Sequence, residues 1–464
     1  MTTKTRFAPS PTGHLHLGNM RTALFNYLLA KRQSGIFLLR IEDSDAIRSE
    51  LIYLDSLMQD LRWLGLQWDE GPEEGGDAGP YLQAERMDIY EKYYQQLLDN
   101  NQAYPCFCTE EQLALSRKMQ NIAGQAPRYA GTCAHLTAEE VSAKKAQGLG
   151  FTLRFRVPKK QTVRFEDLVK GQQVFQTDDL GDFIIKRSSN APAFMFCNAI
   201  DDAMMQVTLA VRGEDHLTNT PRQILILEAL KLPVPHYGHI TLIVGPDNSP
   251  LSKRHGAKSI RELRADGYLP EALNNYLARL GHYYPENTLY TLDELAAHFT
   301  DSQLGRSAAR YDESQLAYWQ RMSLARLSDV EFWSWLTCEI GEIVPHEKHQ
   351  AFTTMIRAEL VLPKDACIWA KRAFTQELAY TDEARSVLND TPEEFFKLIQ
   401  NENDYEQILE KLKAAGYKGK ALFQPLRAAL MGTLQGPELT AWWPLLSQDL
   451  RTLRLDKKFH VTHL

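Results

Sequence analysis

The sequence predicts an α/β fold whose first domain is split by an insertion and followed by an all-helical C-terminal third. Three observations carry this. Thr3–Ala8 reads as a strand that enters a Pro/Gly turn, and the chain passes from there into a helical pattern over Asn19–Gln33. Ile36–Ile41 is an apolar run, interrupted by Arg40 alone, of the kind that forms a buried parallel strand. After about Gln320 strand signals fade and only helix-like segments follow.

The chain has 464 residues, too many for one hydrophobic core. Its 44% hydrophobic and 24% charged residues are ordinary for a globular protein. No run approaches the roughly 18 apolar residues of a membrane span, and the N-terminal segment lacks an apolar signal core. A cytoplasmic protein with reduced thiols is therefore expected, its six cysteines more suited to metal than to disulfides. The net charge of −7 excludes a small basic nucleic-acid module but not a local basic surface. Lys159-Lys160 with Arg164, Lys253 to Lys258, and Arg451 to Lys458 are such local segments; taken alone, each reads as a solvated face.

Taken in order, Met20, Ala23, Leu24, Tyr27 and Leu28 give the first helix an apolar stripe, and Gly35 stops it. Strand, helix and strand make a βαβ start, and Glu42 falls at the carboxyl end of the second strand, where open α/β sheets bind ligands. Helices are expected at Leu51–Leu66 and Ala84–Leu98, with Asp69 to Pro80 as loop. From Tyr104 the texture changes. A polar helix near Thr137–Gln147 and β-rich patches at Phe151–Val157, Val163–Leu168 and Phe183–Lys186 look like an insertion with its own small fold. Val207–Val211, the helix Pro221–Leu230 and His239–Val244 resume the α/β pattern. Phe332–Leu336, Phe352–Leu360, Ala366–Thr375, Pro392–Gln400, Tyr405–Ala415 and Phe423–Leu430 suit helices of a last domain.

Two segments suggest chemistry. The turn Pro9-Ser10-Pro11-Thr12-Gly13 with His16, Gly18 and Asn19 leads into a helix N-terminus, where backbone N–H groups and the helix dipole favour an anion. The plainer reading is an ordinary turn with exposed histidines. Leu251-Ser252-Lys253-Arg254 could clamp a triphosphate; the plainer reading is a basic surface loop. The insertion carries Cys106-x-Cys108, 24 intervening residues, then Cys133-x-His135. A Cys3His set suits a closed tetrahedral zinc site; free buried thiols are the alternative.

Together these stretches resemble a class I aminoacyl-tRNA synthetase, in detail the bacterial-type glutamyl-tRNA synthetase family. Further matches run in order along almost the whole chain: Arg6 to Gly13, Leu39 to Asp43, Trp68 to Pro72, Arg212 to His216, Gly267 to Leu273 and Gln424 to Leu430. The resemblance implies a Rossmann-type nucleotide-binding catalytic domain in residues 1–104 and 191–250. It also implies an acceptor-stem-binding insertion (105–190), a stem-contact region (251–320) and a helical anticodon-binding domain (321–464). The implied reaction joins L-glutamate to tRNA(Glu) through a glutamyl-adenylate, releasing pyrophosphate and AMP. Mg²⁺ would accompany ATP, and a structural Zn²⁺ would sit in the insertion, with Tyr129 as alternative fourth ligand to His135. A monomer with no membrane partner is the family expectation.

By the same resemblance His16 and Lys253 are catalytic, stabilising charge at the ATP phosphates. Arg6 and Arg212 bind substrate carboxylate, Glu42 binds its ammonium, and Ala8, Ser10, Phe194 and Asn198 complete the glutamate site. His16, Gly18, Asn19, Asp215, His216, Leu251, Ser252, Lys253 and Arg254 form the ATP site. Three positions depart from the family pattern: Pro250 replaces the first lysine of the basic loop, Asn19 the second histidine of the first motif, and Phe194 a tyrosine. A copy charging tRNA(Gln) with glutamate is the alternative. A paralogue modifying a tRNA base would not need the helical third, and a non-catalytic zinc-containing tRNA-binding protein would not need Arg6, His16, Glu42, Arg212 and Lys253.

Overall fold

The computed structural model describes residues 2–44, 51–252, 254, 258–336, 338–457 and 460. It divides into two compact units. One comprises Met1–Leu263 with Leu273–Glu313, the other Arg264–Ala272 with Ser314–Leu464.

The first unit is built on a six-stranded sheet. Its strands are β1 (Lys4–Phe7), β2 (Ile36–Leu39), β5 (Thr162–Asp167), β6 (Gly171–Gln176), β8 (Leu209–Gly213) and β9 (His236–Ile240). They run in the order β2-β1-β8-β9-β5-β6, parallel throughout except for the β5–β6 hairpin. Parallel strands covered on both faces must be apolar along their length, which is why IFLL and LAV read as continuous runs. A second sheet, β3 (Ala103–Cys106), β4 (Thr152–Phe155) and β7 (Phe183–Lys186), is antiparallel in the order β3-β4-β7. The pair β10 (Ile243–Val244) and β11 (Ala309–Arg310) is parallel.

The insertion is thus not one separate fold. Its segment 103–186 supplies the small sheet, but the β5–β6 hairpin in its middle extends the main sheet through Asp167 opposite Tyr237. Residues 251–313 do not form a unit of their own either: all but Arg264–Ala272 pack with the first unit.

Helix α1 (Leu17–Arg32) packs on β1, β2 and the helix Leu292–His298. Contact on several sides buries Met20, Ala23, Leu24, Phe25, Leu28 and Leu29. It starts two residues before the expected Asn19, because the His16 side chain accepts from the Gly18 N–H and caps the first turn. The next helix ends at Trp63 rather than Leu66, since Gly65 (φ 77°) turns the chain and Leu66 N–H returns to the Leu61 carbonyl. The helices Glu110–Ile122 and Phe194–Met204 and the strand β6 were not expected from the pattern.

The second unit is helical, and among its described residues there is no strand. Two apolar clusters hold it: one around Phe332, Phe352, Ile356 and Ala370, the other around Phe395, Ile408, Leu426 and Trp442. Among the described residues no helix is long and apolar enough to cross a membrane.

Candidate active site

The carboxyl ends of β1 and β8, the β1–α1 turn and the helix Phe194–Met204 enclose a cleft of about 620 Å³. Arg6, Ala8, Ser10, His16, Gly18, Asn19, Glu42, Phe194, Asn198, Arg212, Asp215 and His216 all line it. So do Thr12 and Gly13 of the predicted turn, and His14, Arg21, Thr22, Leu242 and Ile243, which the sequence pattern did not single out. His14 is exposed and stands at the cleft wall, with its ring 5.2 Å from that of Tyr53 and Nδ1 3.1 Å from the Ser56 hydroxyl.

Beneath the cleft floor lies a buried charge network. Arg6 donates from Nε to Asp202 at 3.1 Å and from Nη1 to the Val211 carbonyl. Arg40 donates to Asp202 at 2.6 Å and to Glu42 at 3.2 Å. Arg86, Gln83 and Tyr90 all donate to the neighbouring Asp201. Burial raises the cost of an ionised Asp202, yet Arg6 and Arg40 outweigh it and hold its carboxyl below the usual range. At Glu42 burial wins and raises the carboxyl, against the pull of Arg40 and a 2.6 Å hydrogen bond from Asn198. A ligand ammonium at Glu42 would supply the missing charge.

Arg212 is different. It is 5% exposed, and its acceptors are all neutral. Nε donates to His239 at 3.3 Å, Nη2 to Thr220 at 2.8 Å and Gln223 at 2.6 Å, and Nη1 to Asn198 at 3.4 Å. Among the described residues no carboxylate lies within ion-pair distance of it. Burial, reinforced by the charge of Arg6, lowers its pKa to about 10. A buried cation without a counter-charge is costly unless an anion completes it. One Nη1 hydrogen is left over for that anion.

The other half of the cleft presents a helix N-terminus, an environment that favours an anion. The N-terminus of α1 opens onto it, and His16 stands at that end. The His16 ring is reached by solvent through the cleft mouth, but the surrounding walls lower its pKa by desolvation, so it is neutral at pH 7. His216 is pushed down to about 4 by burial and then by Arg212; its ring lies 5.1 Å from that of Phe194.

Leu251, Ser252 and Arg254 do not line the cleft; Arg254 reaches Ser249 at 2.8 Å and Asp247 at 3.6 Å. Lys253 lies outside the described residues. The ends of its loop are nevertheless anchored beside the cleft. Leu251 N–H bonds to the Ile243 carbonyl, Ile260 N–H to the Leu15 carbonyl, and Ser259 bridges to His16.

In the small sheet, Cys106, Cys108 and Cys133 bring their Sγ atoms within 4.8 Å of one another. The Cys108–Cys133 separation of 3.7 Å matches the roughly 3.8 Å expected for two thiolates about 2.3 Å from one tetrahedral zinc. His135 does not join them; it is exposed, because the chain turns outward after Cys133. The Tyr129 hydroxyl occupies the fourth direction, 3.3 Å from Cys106 and 3.6 Å from Cys108. The guanidinium of Arg154 lies 3.8 Å over the Tyr129 ring. Desolvation raises the Cys106 thiol, but hydrogen bonds from Tyr129 and Arg154 overcome it and lower the pKa; burial lifts Cys108 to about 11.

A mostly parallel sheet whose chain is interrupted by an insertion, a helix N-terminus opening on a cleft lined by buried arginines, and a helical second unit fit the class I aminoacyl-tRNA synthetase architecture. The family described as tRNA synthetases class I (E and Q), catalytic domain, matches residues 2–318, and the anticodon binding domain family matches 360–458. The chain belongs to this class I family of glutamate- and glutamine-type synthetases. It is 54% identical over 449 residues to glutamate–tRNA ligase 2 of Nitrosococcus oceani, covering 96% of this chain and 95% of that one. A glutamate–tRNA ligase of Coxiella burnetii is 52% identical over 457 residues, covering 97% and 98%. The fold matches the glutamate tRNA ligase of Elizabethkingia meningosepticum, solved with its amino acid, with TM-score 0.83 and 27% identity over the full length of both chains. The synthetase of Elizabethkingia anophelis gives 0.84 at 28% identity, covering 99% and 100%.

Proposed function

We propose that the chain ligates L-glutamate to tRNA(Glu) with ATP. The observation that carries this is Arg212, a buried cation with only neutral protein acceptors, facing a cleft that also holds Glu42. An amino acid with a side-chain carboxylate and an ammonium supplies both missing charges. The names of the relatives agree; they give no support to charging of tRNA(Gln).

In this reading Arg212 and Arg6 hold the side-chain carboxylate, Glu42 the ammonium, and Ala8, Ser10, Phe194 and Asn198 the rest of the amino acid. The substrate α-carboxylate attacks the α-phosphorus of ATP and pyrophosphate leaves. A terminal ribose hydroxyl of tRNA then attacks the acyl carbon and AMP leaves. Both steps gather negative charge, which His16, the α1 N-terminus and Lys253 would stabilise. Gly18, Asn19, Asp215 and His216 would border the nucleotide, and the segment that carries Leu251, Ser252 and Arg254, anchored beside the cleft, would have to approach it when ATP binds. Mg²⁺ enters with ATP as part of the substrate and offsets phosphate charge. Zinc held by Cys106, Cys108, Cys133 and Tyr129 would brace the insertion and take no part in the reaction. The insertion, residues 105–190, would face the acceptor stem, with 251–320 as stem contact and 321–464 reading the anticodon. The protein would act as a cytoplasmic monomer.

Aminoacylation of purified tRNA(Glu) and tRNA(Gln) tests this. Base-labile, ATP-dependent glutamate on tRNA(Glu) is expected. Absence of charging by any amino acid, with tRNA present, would overturn it, and charging of tRNA(Gln) would restore the alternative.

A further inference from the structure

The group that holds Arg212 Nε is His239, 0% exposed, on the neighbouring strand β9. His239 Nδ1 is 2.5 Å from Asp167 Oδ2, and Asp167 ends β5, the strand that the hairpin adds to the main sheet. An arginine Nε–H only donates, so His239 Nε2 must be the bare acceptor and Nδ1 must carry the proton. The Thr220 hydroxyl lies 3.0 Å from the same Nε2.

We propose that the Asp167–His239 pair is the positioning device that aims Arg212 at the substrate carboxylate, and that it does so by fixing the histidine tautomer. This rests on the glutamate reading above and deepens it. Asp167 is itself immobile. Its Oδ1 accepts from the backbone N–H groups of Val169 at 3.0 Å, Lys170 at 2.8 Å and His239 at 3.2 Å. That leaves Oδ2 alone to face the imidazole. Burial lowers the His239 pKa more than Asp167 raises it, which keeps the ring neutral. The neutral ring matters. An imidazolium would repel Arg212, and a carboxylate in direct contact would neutralise it. A neutral acceptor oriented by a charge one residue further away holds the guanidinium without cancelling it. The acceptors Thr220 and Gln223 obey the same rule. The cation therefore reaches the ligand undiminished and favours a carboxylate over a carboxamide.

The test is the isosteric substitution Asp167→Asn. With its Oδ1 retained by three N–H donors, the new amide N–H must point at His239 Nδ1. That moves the ring proton to Nε2, against the Arg212 donor. The expected result is a rise in KM for glutamate of about 10- to 100-fold, the range for losing a hydrogen bond to a charged group. The KM for ATP and kcat should stay within about threefold. An unchanged KM for glutamate overturns the proposal, as does an equal loss in both substrates. Should the variant fail to fold, ¹⁵N NMR of histidine in the wild-type protein decides: a protonated Nδ1 at His239 supports the proposal, a protonated Nε2 overturns it. A wild type that charges no tRNA removes the glutamate reading instead, and leaves the tautomer measurement standing.

Discussion

At the residue scale, Phe194 invites a gain-of-function change. It lines the cleft between Asn198 and His216 but offers no hydrogen bond to a ligand. Phe194→Tyr is expected to lower KM for glutamate about fivefold through one added neutral hydrogen bond, with kcat unchanged. Steady-state charging kinetics check it. Arg6, Glu42 and Arg212 could be picked from the sequence because short motifs surround them. Asp167, Asp202 and His239 could not. Their roles arise from contacts across long sequence separations, such as Arg6 to Asp202 and Asp167 to His239, and no local pattern reports these. A signal was present in hindsight: adjacent acids inside the apolar stretch FMFCNAIDDAM need buried cations.

At the scale of elements, the first turn of α1 and the cysteine knuckle each make a prediction. A Cβ on Gly18 would lie 3.2 Å from the His16 ring, which caps the same turn. Gly18→Ala should displace that ring and lower kcat roughly 10- to 100-fold, the cost of a small misplacement at a reacting centre. The melting temperature should move little, since Gly18 does not need a positive φ. Metal analysis of protein purified without chelator should find about one zinc per chain. Cys133→Ser should lose it, whereas His135→Ala should keep it; loss on His135→Ala would restore the histidine as ligand. The spacing of the cysteines offered both His135 and Tyr129, and only the turn after Cys133 separates them. The helix Phe194–Met204 escaped pattern reading for a different reason. Its polar residues Asn198, Asp201 and Asp202 are as buried as its apolar ones, so no polar face marks it as a helix against a core.

For the whole molecule, pH stability follows from buried neutral histidines. His282 has a pKa of about 4, set by burial against a hydrogen bond with Thr300, and His216 is similar. Both lie below the ordinary 6.5. As pH falls from 6.5 towards 4, the unfolded chain binds these protons first, so stability falls over that window and returns on raising the pH. Denaturant titrations at pH 7 and 4.5 should show the loss, and His282→Asn should flatten the dependence. The division into an α/β part and a helical part was legible because their periodicities differ. The reach of the β5–β6 hairpin into the main sheet was not, because a hairpin reads the same wherever it docks. That sheet also has a consequence for synthesis on the ribosome. β1 can pair with β2 almost at once, but its other neighbour, β8, pairs Leu209 with Thr5. At about 5–20 residues per second, the β1–β2 pair waits roughly 10–40 s with an open edge. The nascent chain is therefore most exposed to misfolding and chaperone capture while its insertion is being made, long before the helical unit emerges.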